Sequence, residues 1–217
     1  MAAILDAAEE VIAEVGLEAA TTNAIAARAG AGMGSLYHFF PDKEAIVAAL
    51  ARRFQERMQP ITEYAGRPEL ARVPLAVMVD LIVDPLVDFF RRSPAYLHVF
   101  HATDKPGVRA PSSCEMEATI AHHVEAIIAA RAPRIPAGRR RILALVEVEL
   151  VHALLQYAFE SPQTLRPGII REVKRLVALH SEMMEKGDDP LTRLRGAPPG
   201  AGASRTRAAR SANQRGR

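Results

Sequence analysis

At 217 residues, 49% hydrophobic and 24% charged, the chain holds enough material for one large domain or two small ones and has the balance of a globular protein. Cys114 is its only cysteine, which excludes an intramolecular disulfide and a disulfide-stapled secreted scaffold. Hydrophobic runs stop short of the ~20 residues of a membrane span. An N-terminus carrying Asp6, Glu9 and Glu10 does not read as a signal peptide, so a cytoplasmic protein with no membrane partner is expected.

The formal charge of +3 hides an uneven distribution. Seven of the 28 Lys and Arg residues are arginines between Pro190 and Arg217, a stretch with no acid, which leaves 21 to set against 25 Asp and Glu. Residues 1–59 alone are net acidic. Affinity for a polyanion must therefore be argued from where charges sit and not from their sum.

In chain order, Met1 to Val15 reads as a helix, because Ile4, Leu5, Ala8, Val11, Ile12 and Val15 recur at the three- and four-residue spacing of one apolar stripe. Gly16 is its natural stop. Thr21 or Thr22 can cap a short second helix from Thr22 to Ala29, with Ile25, Ala26 and Ala29 facing inward. Gly30 suits the positive φ of a helix-ending turn. Met33 to Phe40 then forms about two turns, with Leu36 and Phe40 anchoring a core and Ser35, Tyr37 and His38 on the other side. Two short helices around a glycine-bearing turn read as a helix-turn-helix, whose second helix is free to enter a DNA groove. Gly32, Gly34 and Ser35 are small enough to let that helix approach phosphates and base edges. Gly30, Gly32 and Gly34 also echo a dinucleotide fingerprint, but that motif needs a preceding strand, and Ile25 to Ala29 is helical in pattern.

From Lys43 a long helix carries Ala45, Ile46, Ala49, Leu50 and Phe54 in a stripe, and Pro60 is expected to end it. After Gly66-Arg67-Pro68, Leu70 to Arg92 reads as one helix kinked at Pro85. A short helix over Ala95 to Ala102 and a turn over Asp104 to Gly107 follow. Ser113 to Arg131 reads as a helix with Met116, Ile120, His123, Ile127 and Ile128 on its apolar face. Arg139 to Phe159 is apolar on most sides, as befits a helix buried both within its own domain and against a partner. Pro167 to Lys186 is the last helix, stopped by Gly187. From Pro190 onward Ala, Gly, Pro, Ser and Arg cannot bury a core, and that tail is expected to be disordered.

Thr21-Thr22, Ile25-Ala26, Ala29-Gly30, Gly34-Ser35-Leu36-Tyr37, Phe40-Pro41 and Asp42-Lys43-Glu44 resemble, as a set, the DNA-binding domain of the TetR family of bacterial transcriptional regulators. The match runs over residues 3–50, with Ala31-Gly32 in place of the usual Val-Ser and Phe39 in place of a common His. By position, the resemblance implies that Thr22, Tyr37 and Lys43 contact phosphates with His38 beside them. It places Asn23, Met33, Gly34, Ser35 and Tyr37 nearest the base edges. Lys43 lies in the first turn of its helix, where the dipole does not favour a cation, and a phosphate partner would account for it. Few of these residues are strong base readers, which shifts the expected weight toward shape and phosphate positioning. No Lys or Arg precedes Arg28, so the basic arm of many members is expected to be missing or to lie ahead of residue 1.

The resemblance also implies an all-α fold: an N-terminal three-helix helix-turn-helix domain (1–50), a larger helical effector-binding and dimerisation domain (51–187), and the Arg-rich tail (188–217). Its last two long helices would pair with those of a second subunit as a four-helix interface. The expected partners are double-stranded operator DNA, a second copy of the chain and a small hydrophobic effector that releases a repressor from its operator. Alternatives are a constitutive DNA-binding dimer or a metal-dependent helical sensor.

For the effector pocket, Glu149, His152 and Gln156 form a polar line at i, i+3 and i+7 in an otherwise apolar helix. They fit either a pocket wall or a network across a dimer interface. Met78, Phe89, Tyr96, Phe100, Met116 and Tyr157 are the accompanying apolar candidates, each of which fits plain core as well. His98 and His101 have a legitimate ligand spacing, yet no carboxylate or cysteine stands at a matching offset, and the adjacent His122 and His123 point to different faces. No nucleophile elbow or phosphate loop occurs, so no cofactor, metal or catalysis is expected.

Overall fold

The structure, a computed structural model, describes residues 1–103 and 111–187, and describes no side chain between 101 and 117. The turn expected at Asp104 to Gly107, the tail, and the side chains of His101, Cys114 and Met116 lie outside that description. The described residues are helical, with no strand among them.

Helix α1 (Ala2–Ala19) buries Ile4, Leu5, Ala8, Val11 and Ile12 along one stripe. Val15, expected in that stripe, is 52% exposed, because Gly16 at φ +79° and ψ 164° breaks the helix one residue later and turns the chain away. That φ is available to glycine at low cost. In α2 (Thr22–Arg28) the Thr21 side chain accepts from the Ala24 amide at 3.1 Å, satisfying one orphan donor of the first turn. Gly30, at φ +62°, makes the turn into α3 (Met33–Phe39), where Leu36 and Phe40 are buried. Asp42 caps α4 (Lys43–Ala65) by accepting from the Ala45 amide at 2.7 Å.

Pro60 does not end α4. Pro60 leaves the Glu56 carbonyl without its helical donor, but Glu56 and Pro60 both face solvent, so that carbonyl can be hydrated, while Phe54, Met58, Thr62 and Ala65 remain buried on the opposite side. The continued burial outweighs the proline's cost. Leu70, expected in the next long helix, lies instead in a separate 3-10 turn over Pro68–Arg72. Val73 precedes Pro74 and is extended at φ −77° and ψ 159°, as the residue before a proline prefers, so α5 starts afresh at Leu75 and runs to Arg92 unbroken through Pro85. Arg131 holds the 3-10 turn in place, donating to the carbonyls of Ala71 and Val73 and pairing with Glu185.

The body is completed by α6 (Tyr96–Thr103), α7 (Pro111–Arg131), α8 (Ala137–Glu160) and α9 (Arg166–Lys186), the last ended by Gly187 at φ +69°. Contrary to the expectation from run length, α8 is long and apolar enough to cross a membrane. It buries Ala144, Leu155 and Ala158 against α7, α9 and α5. Its opposite side exposes Ile142, Val146 and Tyr157 (62, 52 and 60%), beside Leu176 and Leu179 of α9 (44 and 50%).

One continuous core runs from α1 to α9. Leu36, Ile46 and Leu50 fill its head end, and Phe54 meets Tyr96 and Phe89 edge-on at 5.7 and 6.5 Å between ring centroids. Between α4 and α7, His123 Nδ1 lies 2.9 Å from the Thr62 carbonyl, and a Cβ on Gly66 would stand 2.7 Å from the same imidazole. Gly66→Ala is expected to destabilise the fold by about 1–3 kcal/mol, the cost of an overpacked contact. Thermal unfolding of Gly66→Ala beside Gly66→Ala/His123→Ala checks this, since the double variant should recover part of the loss.

Candidate DNA interface and effector cavity

The helix-turn-helix presents one open face. Asn23, Gly34, Ser35, Tyr37 and His38 are exposed on it, and Thr22, Met33 and Lys43 are half-buried at its edges. Thr22 Oγ1 and Tyr37 Oη stand 3.4 Å apart, joining α2 to α3 through two hydroxyls that the sequence treated separately. Lys43 Nζ donates to the Glu18 carbonyl at 3.2 Å, which fixes the amine beside the end of α1. Phe39, not among the expected contacts, is 45% exposed and packs edge-on to His38 at 5.2 Å. A Cβ at Gly32 or Gly34 would meet no atom within 4 Å, so the protein's own packing does not demand glycine there.

Charge on this face is sparse. Arg28 is held by Glu10 at 3.1 Å and by Glu14 at 2.7 Å. The hydrogen bond that Arg28 donates to Glu14 is the largest cause holding the guanidinium protonated beyond its ordinary range, and Arg28 in turn holds the Glu14 carboxyl below the usual carboxylate range. The cation is thus matched by two acids within the head.

Behind the head, α4 to α9 enclose a cavity of about 140 Å³, roughly ten times the volume a single water requires. Of the expected pocket residues, Met78, Tyr96, Phe100, Glu149 and His152 line it. Phe89 does not: it turns into the core, 5.0 Å from Tyr96 between ring centroids. Gln156 and Tyr157 also lie off the wall, Gln156 bonded to Glu160 at 3.3 Å and Tyr157 on the exposed face of α8. Helical rotation separates them, for the polar line drifts out of the cavity after His152. The His152 ring sits among aromatic neighbours, 4.8 Å from Phe100 and 6.2 Å from Phe90.

Glu147 was not expected in the wall and is the most buried acid there, 7% exposed. Its Oε2 accepts from Nδ1 of His180 on α9. Its Oε1 is closed off from solvent and has no hydrogen-bond partner among the described residues. Flanked by Val146 and Val148, this acid in an apolar helix was the available sequence signal. The hydrogen bond that His180 donates to Glu147 raises the His180 pKa above its ordinary 6.5, against the opposing effect of burial. Among the described residues no three His, Cys, Asp or Glu side chains gather as a metal site requires.

Because the folded-state pKa of His180 is raised, its pairing with Glu147 stabilises the fold fully below pH 6.5 and loses that contribution as pH rises through the raised value. The difference in unfolding midpoint between the wild type and His180→Asn is expected to be largest in the acid range and to shrink as pH climbs. A series of thermal melts across pH measures it.

Residues 4–50 match the tetR family of bacterial regulatory proteins, and residues 74–179 match the C-terminal domain of tetracyclin repressor-like proteins. An HTH-type transcriptional repressor of Mycobacterium tuberculosis is 34% identical over 82 residues, which is 38% of this chain and 40% of that relative. The chain thus spans less than half of that curated relative. A TetR-family transcriptional regulator from Streptomyces coelicolor has the same fold with a TM-score of 0.55 and 24% identity, over 84% of this chain and 98% of that one. A TetR-like regulator from Rhodococcus sp. RHA1 aligns with a TM-score of 0.64 at 15% identity, over 86% of this chain and 96% of that one. With both segments matched, a helix-turn-helix head and an all-helical body, the chain belongs to the tetR family of bacterial regulatory proteins.

Proposed function

We propose that the chain is a homodimeric repressor that holds operator DNA with two helix-turn-helix heads and leaves it when a small, mainly apolar effector fills the cavity. The observation that carries the reading is the pairing of the open face of α3 with an apolar cavity one helix layer behind it. Tyr96 and Phe100 of α6 line the cavity, and α6 also contacts α1 of the head. Met58 and Thr62 of α4 line it too, while the start of the same helix forms the head's core. An occupant that displaces α6 or α4 therefore has a short path to the head, and it shifts the equilibrium by as much as it prefers one head position. A constitutive dimer is the lesser reading, because a cavity of this size between α4 and α6 has no role in it.

On this reading Thr22, Tyr37, Lys43 and His38 meet phosphates, and Asn23, Met33, Gly34 and Ser35 approach the base edges. Gly34 separates binding from folding. Gly34→Ala removes a helical glycine into open space, so it should stabilise the fold by about 0.5–1 kcal/mol. It should nevertheless weaken binding to the chain's own upstream DNA, because the added methyl stands between α3 and the groove. Lys43→Ala should reduce the salt slope of binding by about 1 per head. Electrophoretic shifts over a salt series test both, and full affinity in both variants would sink the assignment of this face.

The exposed apolar residues of α8 and α9 supply the dimer surface, since helices otherwise apolar on this scale bury both sides. Val146→Glu, at a position 52% exposed in the single chain, should leave the subunit folded and monomeric. Analytical ultracentrifugation and the DNA shift assay should then register loss of the dimer and of high-affinity binding together.

A further inference from the structure

Cations gather at the end of the body that lies away from the acidic head. Between Glu125 and Glu147 the sequence carries five arginines, Arg131, Arg134, Arg139, Arg140 and Arg141, and no acid. They occupy the end of α7, the turn after it and the start of α8. Arg131 donates to the carbonyls of Ala71 and Val73, which brings the exposed Arg72 to the same place. That 3-10 turn follows the far end of α4, a helix of 23 residues that reaches roughly 35 Å out from the head. Of the acids nearby, Glu185 pairs with Arg131, Glu125 lies 3.6 Å from Arg141, and Glu69 shares the turn of Arg72. Arg140 is turned inward and donates to the Ile135 carbonyl at 2.7 Å. Arg72, Arg134 and Arg139 are exposed and make no ion pair among the described residues. The fold does not call for these cations, since no acid stands in the first turn of α8 and the helix dipole disfavours arginine there.

We propose that this arginine end is a second contact for duplex DNA, independent of sequence and separate from the helix-turn-helix face. Guanidinium forks suit phosphate oxygens, and charge of this kind holds the backbone without reading bases. DNA is the polyanion that a regulator of this family meets. A lipid surface would need an apolar wedge beside the cations. Ile142, Leu145 and Val146, the exposed apolar residues next along α8, are taken up by the dimer face on the homodimer reading above, on which this choice of partner rests. With two heads on one operator, both arginine ends point away from it, and the bound dimer can hold a second duplex. The seven arginines between Pro190 and Arg217 are not part of this site.

Anisotropy titration of a labelled random-sequence duplex with the full-length protein tests the contact. Arg134→Gln/Arg139→Gln should weaken binding roughly tenfold and lower the salt slope by about 1 for each arginine removed. Arg72→Gln, on a different element, should lower the slope by about 1, and thermal melts report the fold of both variants. Tyr37→Ala/Lys43→Ala should leave random-duplex affinity within about twofold, because the head's few phosphate contacts are a minor part of it. In a second arm, protein held on its own upstream DNA on beads should capture the random duplex. Arg134→Gln/Arg139→Gln should lose that capture and keep upstream binding. Unchanged affinity and slope in the arginine variants would assign the binding to another segment and overturn the proposal. So would loss of random-duplex binding in Tyr37→Ala/Lys43→Ala, no capture by protein held on upstream DNA, or binding to phosphatidylglycerol vesicles in preference to the duplex. If upstream DNA is not bound selectively, the operator reading fails, and the anisotropy series decides this proposal alone.

Discussion

The apolar stripe of α4 is the constraint on which the rest of the molecule depends. Ile46 and Leu50, both fully buried, close the core of the head with Leu36 and Ile25, and one turn later Phe54 enters the aromatic cluster of the body. There is no soft layer between these two ends. Close-packed side chains do not absorb displacement gradually, so on the proposed reading a shift of α4 in the body would be carried into the head. The polar side of the same junction adds direction. Glu9 of α1, almost buried, accepts from Arg57 of α4 at 2.8 Å, and Arg57 reaches Ser93 at the end of α5 at 3.4 Å. A charged pair at 11% and 36% side-chain exposure does little for net stability, but it fixes which residues of α1 and α4 face each other.

Helix α8 shows how one sequence serves three environments. Ala144, Leu155 and Ala158 face the core; Glu147, Val148, Val151 and His152 face the cavity; Ile142, Val146 and Tyr157 face outward. Each surface wants apolar residues, so the helix has no polar side to orient it. That is also why its length and composition match those of a membrane span. The few polar residues are then the only markers of rotation. Glu147 and His152 mark the cavity, and Gln156, a turn further on, has already rotated toward Glu160.

Local chemistry made the head legible. Thr21 capping, the positive φ at Gly16 and Gly30, and burial of Leu36 and Phe40 each follow from a short window of sequence. The body was legible in its helix count and order but not in its breaks. Pro60 was read as a stop, yet the decisive fact was that α4's buried stripe continues past it through Thr62 and Ala65, which depends on α7 being opposite. Pro74, by contrast, does set a boundary, because it constrains Val73 directly. The cavity was half legible. Met78, Tyr96, Phe100, Glu149 and His152 reach it, whereas Phe89 lies one residue from a cavity position, Phe90, and faces the core. In a helix apolar on several sides, one residue is a 100° rotation, and composition alone does not resolve it.

The charge of the head bears on how control by a small ligand can work. Residues 1–50 carry two basic and seven acidic residues, and Arg28 is matched internally by Glu10 and Glu14. Such a head has no long-range field to draw it onto DNA, so on the proposed reading its grip comes from short-range contacts around Tyr37, Thr22 and Lys43. A single weak head becomes a tight binder only when a second is held at the matching separation, through the effective concentration that the dimer supplies. Affinity then depends steeply on the distance between heads. A strongly basic head would keep much of its hold after a small shift, whereas this one would lose most of it. On the proposed reading, sparse charge on the exposed face of α3 and a close-packed α4 are complementary: the first would make binding sensitive to spacing, and the second would convert occupancy of the cavity into a change of spacing.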